Sequence, residues 1–517
     1  MKYKLKHIIK ATNMTFIGSL LFASCIGNFE ELNTHPTDVY PENIPAEEKT
    51  GSLFPSMLYL LNPTHENQNQ HIEQMVGQYG GYFSTTNEWD GTNFSTFNPS
   101  ANWVEEPYKL LFTGFYPNFQ SIKEYTKGIG YAYAWASIIR VGVMQRVTDI
   151  YGPIPYSKMG EGNFAVPYDD VQTLYHEMID DLTKSIDALS IFLQENGNEP
   201  HPLAEYDLIY NGDFRKWIKY ANSLKLRMAV RIAHLDTEYA KQAMKEAITG
   251  GVIESNEDNA FLPSNDNPIC KSTNNWDDLA INASIAAYMN GYEDPRIPLY
   301  MSKILLGRVP YRGVRMGTIG ISQFYSKPIF EQHSPLAVYY AAESHFLKAE
   351  AALRGWIEGG NGIAKNYYEQ GIKTSMDQYK VEIGNYLNNT TTSFKYEDIL
   401  TTNNVTFENA PSVSWEDGDN KLEKIITQKW IANYPLGIEA WTEFRRTGYP
   451  QLISCNPKDN KSSSAYIGSI SDTRMVRRLP YPTSEKTGNA TNVEQAISAL
   501  LKGDDTGATD LWWAKKD

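Results

Sequence analysis

Ala341-Ala342-Glu343-Ser344-His345-Phe346-Leu347-Lys348-Ala349-Glu350-Ala351-Ala352 is the stretch from which the fold can be read. Its apolar residues recur with helical spacing, and Ala341, Ala342, Ala349 and Ala352 give the contact face little bulk, so a second helix can approach closely. The expected helix runs from Leu336 to Trp356. Its partner, Ile363 to Tyr379, follows across Glu358-Gly359-Gly360-Asn361-Gly362. That glycine run leaves a helix rather than a strand, so it reads as the turn of an antiparallel helix pair and not as a phosphate loop. His345, mid-helix among apolar residues, reads as packed.

The same pattern recurs upstream. Tyr131 to Ile150 is apolar and carries Ala132, Ala134, Ala136 and Gly142; it stops at Tyr151-Gly152-Pro153-Ile154-Pro155, where two prolines forbid continuation. Val171 to Leu193 sets Leu174, Met178, Ile179, Leu182, Ile186 and Leu189 on one stripe. Phe214 to Leu235 and Tyr239 to Ile248 make another pair. Stacked pairs of this kind resemble tetratricopeptide arrays, although no strict repeat period survives. Between the pairs lie long segments rich in turn residues and aromatics, 79–117, 253–335, 384–420 and 450–517. Loops of that length are uncommon unless they are functional.

The chain has 517 residues, with 41% hydrophobic and 21% charged, which excludes wholesale disorder. Net charge is −14, from 47 Lys and Arg against 61 Asp and Glu, so phosphates of a nucleic acid would go unneutralised. Aromatic content is high: 11 Trp, 34 Tyr and 20 Phe. That is more rings than a core needs, and it suggests rings on the surface.

The first residues read as an address. Lys2, Lys4, Lys6 and Lys10 precede the apolar run Met14 to Phe22, and Ala23-Ser24-Cys25 follows. Such a segment is too short to span a bilayer and reads as a secretory signal over residues 1–24. The Cys directly after small residues resembles a bacterial lipobox, with Cys25 the lipidated first residue; Phe22 stands where Leu is usual, and Leu21 lies one earlier. Acyl chains on Cys25 would anchor the protein. Cleavage removes four Lys and no acid, so the mature charge becomes −18. Residues 25–52, punctuated by Pro36, Pro41 and Pro45, read as a tether, and 53–517 as one domain. Cys270 and Cys455 read as unpaired.

Signatures of catalysis are missing: no Gly-x-Ser-x-Gly, no His-Glu-x-x-His, no Cys-x-x-Cys and no Walker loop. No catalytic residue, metal ligand or cofactor is therefore assigned. Glu416-Asp417-Gly418-Asp419-Asn420 and Asp504-Asp505 offer oxygens of the kind calcium takes, but they lack the full EF-hand spacing and read as solvated turns.

The chemistry lies in the rings. Tyr79, Tyr82, Phe83, Trp89, Phe94, Phe97 and Trp103 stand among Asn87, Asn93, Asn98 and Asn102. Rings offer flat apolar faces and amides directional hydrogen bonds, which is what recognition of a sugar requires. The competing reading is that half of these rings pin the loop to the helices.

Several stretches together resemble the SusD/RagB family of outer-membrane lipoproteins almost end to end. They are Asn28-Phe29-Glu30-Glu31-Leu32-Asn33-Thr34-His35-Pro36, Thr148 to Tyr156, Trp217 to Met228, Phe346 to Ala351, Gln428-Lys429-Trp430, Glu439-Ala440-Trp441, Phe444 to Pro450 and Arg477 to Pro482. The resemblance implies a mostly α fold: tetratricopeptide-like helix pairs forming a right-handed superhelical scaffold, with long irregular loops and a few short strands. It also implies a surface-exposed outer-membrane lipoprotein that caps a SusC-like TonB-dependent transporter and delivers oligosaccharide to it, without breaking a bond. Family sugar contacts come from segments corresponding to 79–103 and 270–330. The second contains Trp276, Asp277, Asp278, Tyr292, Tyr300, Tyr311, Arg312 and Tyr325. The candidate ligand contacts are accordingly Tyr82, Trp89, Asn93, Phe94, Trp103, Trp276, Asp278, Tyr292 and Tyr325. The motif Asn222-Ser223-Leu224-Lys225-Leu226-Arg227 is expected to bond across to neighbouring helices, and Arg445 and Arg446 to pair with acids such as Glu439 or Glu443. Neither is read as a ligand site. The same lid role with oligopeptide cargo is the alternative, and a glycosidase on a helical scaffold is a third reading.

Overall fold

The computed structural model describes residues 45–514 apart from 86, 88, 198, 305–308, 319–321, 399–403, 457–458, 463–466 and 472–473. The leader, Cys25 and most of the tether lie outside the described residues. The chain divides into two units, 1–49 and 50–517. In the first, residues 46–49 lie in the short helix Ala46–Gly51. The second unit holds the scaffold.

Its frame is helical, as the periodicity predicts. The scaffold helices are α1 (Gly130–Tyr151), α2 (Val171–Asn196), α3 (Phe214–Ile232), α4 (Thr237–Gly250), α5 (Ala341–Leu353), α6 (Asn361–Gln378), α7 (Lys421–Ala432) and α8 (Gly437–Thr447). They pack as tetratricopeptide-like pairs, α1 on α2, α3 on α4 and α5 on α6, with α2 on α3 and α5 on α7 linking them. Local chemistry sets the boundaries. Asp170 accepts the Thr173 N–H at 3.1 Å at the start of α2, and Asp213 and Asn420 cap α3 and α7 in the same way. Gly152, with φ 92°, ends α1 before the Pro-x-Pro.

Close approach depends on missing side chains. A Cβ on Gly371 of α6 would lie 2.8 Å from the Phe346 ring of α5. At Gly437 it would lie 2.6 Å from the Cα of Gly77 and 2.8 Å from the Glu73 carbonyl. Ala341, Ala342, Ala349 and Ala352 are all fully buried.

One expectation fails locally. Leu336–Tyr339 is not the first turn of a helix but a strand, β4, paired antiparallel with β2 (Ala260–Leu262). A fully buried apolar run has no polar alternation to separate strand from helix. Two further antiparallel pairs are present: β1 (Phe83–Thr85) with β3 (Leu279–Ile281), and β5 (Phe394–Tyr396) with β6 (Val405–Phe407). Among the described residues no helix is long and apolar enough to cross a membrane. Among the described residues Cys270 and Cys455 form no disulfide, and His345 is packed on the Glu254 carbonyl at 3.1 Å.

The motifs that carry the family resemblance meet in a buried ionic network. Arg227 grips Glu343 with two 2.7 Å bonds. Arg231 bridges Asp149 at 2.8 Å and Glu439 at 2.5 Å. Lys429 lies 3.1 Å from Glu439 and 3.2 Å from Glu443. Arg446 holds Glu350 bidentately at 2.7 and 2.6 Å and also bonds Glu443. Burial alone would push the Glu439 carboxyl up, but Arg231, Arg227 and Lys429 outweigh it and hold it down to about 2. Glu443 is lowered by the same balance, through Arg446 and Lys429. The expected pairing is met by Arg446 but not by Arg445. The Arg445 guanidinium instead donates to the carbonyls of Asp149 at 2.6 Å and Arg477 at 2.9 Å and lies on the Trp441 ring, 3.6 Å from its centroid.

Candidate functional site

The pairing of β1 with β3 joins the two aromatic segments marked in the sequence. Phe83 faces Ile281, Ser84 faces Ala280 and Thr85 faces Leu279, so residues just after 85 emerge beside residues just before 279. Asn87 and Asp278 meet at that point: the Asn87 amide donates to Asp278 Oδ1 at 2.8 Å. Gln70, on the turn Gln70–Gln74, donates to the other Asp278 oxygen at 3.1 Å. The Asn87 Oδ1 in turn accepts the backbone N–H of Trp89 at 3.0 Å.

Around this hydrogen-bonded centre stand half-buried rings. Trp89 meets Trp103 edge to face, with centroids 5.3 Å apart. Trp103, on the helix Ala101–Pro107 capped by Ser100, stacks on Phe94 at 6.1 Å and lies 5.7 Å from the His71 ring. Trp276, two residues before Asp278, is also half-buried and sits 5.8 Å from the Lys271 ammonium. Lys271 is held by Glu66 at 2.9 Å and Asp266 at 3.2 Å, and Asp277 by Lys327 at 2.7 Å. Burial pushes the His71 imidazole down, with Glu106 opposing, so it is neutral at neutral pH.

The backbone here is strained. Trp89 has φ 40°, Phe97 φ 62° and Asp277 φ 58°, each a left-handed conformation that costs an L residue about 1–2 kcal/mol. Packing must impose it, and such strain gathers where side chains are held for use. The loop is over-determined to match: Asn93 donates to the Asn87 carbonyl at 2.8 Å and accepts from Ser95 N–H at 2.9 Å, and Asn98 donates to the Gly91 carbonyl at 2.7 Å.

The nine candidate residues therefore divide. Trp89 and Trp103 pack together, and Asn87, which accepts the Trp89 N–H, joins their loop to Asp278, two residues after the half-buried Trp276. Asn93 orders the loop behind them, and Phe94, fully buried, backs Trp103. Tyr82, Tyr292 and Tyr325 are a correction on burial: no ring face is open to a ligand. The Tyr82 hydroxyl donates to the Trp430 carbonyl and the Tyr292 hydroxyl to the Pro411 carbonyl, while Tyr325 donates to Asp398 at 3.1 Å. Gln70 and His71 give no signal in sequence, because the segment around them carries no aromatic cluster; only the fold brings it to Asp278. Among the described residues no group of three His, Cys, Asp or Glu gathers to hold a metal.

The arrangement sets half-buried ring faces beside a buried Asp278 whose two oxygens are held by Asn87 and Gln70.

Comparison with known proteins agrees with the fold. The family model SusD-like, described as SusD and RagB outer membrane lipoprotein, matches residues 31–514. No curated protein matches. Among solved structures, a SusD-like protein from Bacteroides thetaiotaomicron is 36% identical with a TM-score of 0.84, covering 90% of this chain and 99% of its own. A SusD homolog from Bacteroides uniformis is 35% identical with a TM-score of 0.83 and the same coverage. A chitin-binding SusD homolog from Flavobacterium johnsoniae is 32% identical with a TM-score of 0.82, again covering 90% and 99%.

Proposed function

The chain belongs to the SusD-like family of outer-membrane lipoproteins, and on that premise we propose that it is a non-catalytic glycan-binding protein. It captures oligosaccharide at the Trp89–Trp103–Trp276 face and delivers it to a SusC-like TonB-dependent transporter. Cys25 is its lipid anchor, holding the protein on the cell surface. The observation that carries this reading is the Asn87–Asp278 hydrogen bond with a tryptophan two residues away on either side. A pyranose presents CH faces to such rings and hydroxyls to such amides and carboxylates. No bound cofactor or metal is needed for capture by stacking and hydrogen bonding.

The chitin-binding relative makes N-acetylglucosamine oligomers the first cargo to test. The experiment is calorimetric titration of the purified chain against chitin, plant and host oligosaccharides and mixed peptides, with chromatography of the mixtures afterwards. Binding of one glycan class without new products supports capture. Peptide-only binding, weakened by salt as the mature charge of −18 requires of a cationic cargo, replaces glycan with oligopeptide. Shortened oligosaccharides in the mixture overturn the non-catalytic reading.

A further inference from the structure

The motif Asn222-Ser223-Leu224-Lys225-Leu226-Arg227 on α3 has two sides. Arg227 enters the buried network, and the Ser223 hydroxyl donates to the Lys219 carbonyl at 2.7 Å and accepts the Ile253 N–H at 2.8 Å. Asn222 and Lys225 instead line a cavity of about 480 Å³ formed with residues of α2 and α4. That volume is in the range of small-molecule sites.

The floor of the cavity is built of donors. Asn222 is 2% exposed, yet its side-chain nitrogen has no hydrogen-bond partner. A buried N–H left unmade costs about 1–3 kcal/mol. Residue 250 is glycine at a point where a Cβ would lie 2.7 Å from that nitrogen, so any larger residue there would press on the amide. Lys225, its side chain 3% exposed, donates to Thr183 Oγ1 at 2.9 Å and pairs with the Glu246 carboxylate. Gln242 donates to the other Glu246 oxygen at 2.7 Å.

Glu246 is the informative residue. Its carboxylate already occupies the donors, which hold it below the usual carboxylate range, the Lys225 hydrogen bond foremost. Its side chain is nevertheless 43% exposed and so is free to swing outward. It is an internal stand-in for an external carboxylate. At the rim Lys245 and Asp187 cancel in charge. No aromatic ring lines the cavity, so a sugar face has nothing to stack on, in contrast to the tryptophan site.

We propose that this cavity is a second binding site, one that takes the carboxylate of a small ligand. Glu246 is displaced outward, Lys225 and Gln242 take one ligand oxygen each, and the Asn222 amide gains the partner it lacks. Two sources carry such a group, a peptide C-terminus and a uronic acid.

The test uses the full-length chain and two matched pairs of probes in calorimetric titration. Acetyl-trialanine is set against its C-terminal amide, and a glucuronate-terminated disaccharide against neutral cellobiose. At least one carboxylate probe binds and its neutral counterpart does not; which one binds names the source. Glu246→Ala, which removes the internal competitor, tightens that binding about tenfold, and Gly250→Ala, which covers the Asn222 amide, weakens it about tenfold or more. Melting temperatures serve to check that both variants fold. Binding by neither carboxylate, equal binding of charged and neutral probes, or an affinity unmoved by Glu246→Ala overturns the proposal.

Discussion

Replacing Glu439 by glutamine removes one charge from the buried network and leaves its shape. Glu439 faces Arg231 at 2.5 Å, Lys429 at 3.1 Å and Arg227 at 3.7 Å. Its carboxyl is displaced from an ordinary 4.5 to about 2, which corresponds to about 3 kcal/mol of stability at neutral pH. A carboxylate lowered in the folded state stabilises fully above the unfolded value, and that contribution is lost as pH falls from about 5 towards 2. Removing one partner of a buried pair costs about 3–5 kcal/mol, because the cations left behind stay desolvated. Glu439→Gln therefore lowers the unfolding free energy at pH 7 by about 3 kcal/mol and flattens its decline on acidification. Guanidinium unfolding at a series of pH values between 7 and 3 reads both effects. A variant within 1 kcal/mol of the parent at pH 7, with an unchanged acid limb, would refute the claim that this network holds the helices together.

Arg446→Met, which leaves Glu350 uncompensated and Glu443 to Lys429, costs about 3–5 kcal/mol in the same assay, whereas Lys365→Ala, breaking the exposed pair with Glu416, leaves the unfolding curve unmoved. Gly437→Ala forces a methyl against the backbone of Gly77 and destabilises by about 1–3 kcal/mol, read as a lower melting temperature. Tyr82→Phe orphans the Trp430 carbonyl, costs about 1–2 kcal/mol in unfolding and leaves glycan affinity unchanged by titration, since that ring is packed rather than presented.

The scaffold is legible in the sequence because each pair declares itself through a stripe of 3.6-residue period and a stop. Val171 needs only Asp170 before it, and Tyr151 only the Gly-Pro after it. Leu336–Tyr339 defeats the same reading because a run buried on both sides has no period to show. The site is half legible. Composition marks 79–103, but Trp89 and Phe94 look alike in sequence, and only the packing of Trp103 against both decides which ring faces outward. Asp278 is visible as an acid near a tryptophan, whereas its partners Gln70 and Asn87 come from segments about 200 positions away. Arg445 is expected to take a carboxylate because guanidinium groups usually find one. It takes carbonyl oxygens and the Trp441 ring instead, an equally complete set of partners for its donors.

The central claim is that the face joined by Asn87 and Asp278 holds sugar through its half-buried tryptophans. The measurement that tests it most directly is paired titration and melting of the parent, Trp89→Ala and Trp276→Ala with the glycan that the parent binds. The account predicts a loss of about 30-fold or more in affinity, the 2 kcal/mol of a binding hot spot, in each variant, with the melting temperature nearly unmoved. Full affinity in both variants, or a melting temperature that falls while binding per folded molecule stays intact, would contradict it and assign the rings to packing.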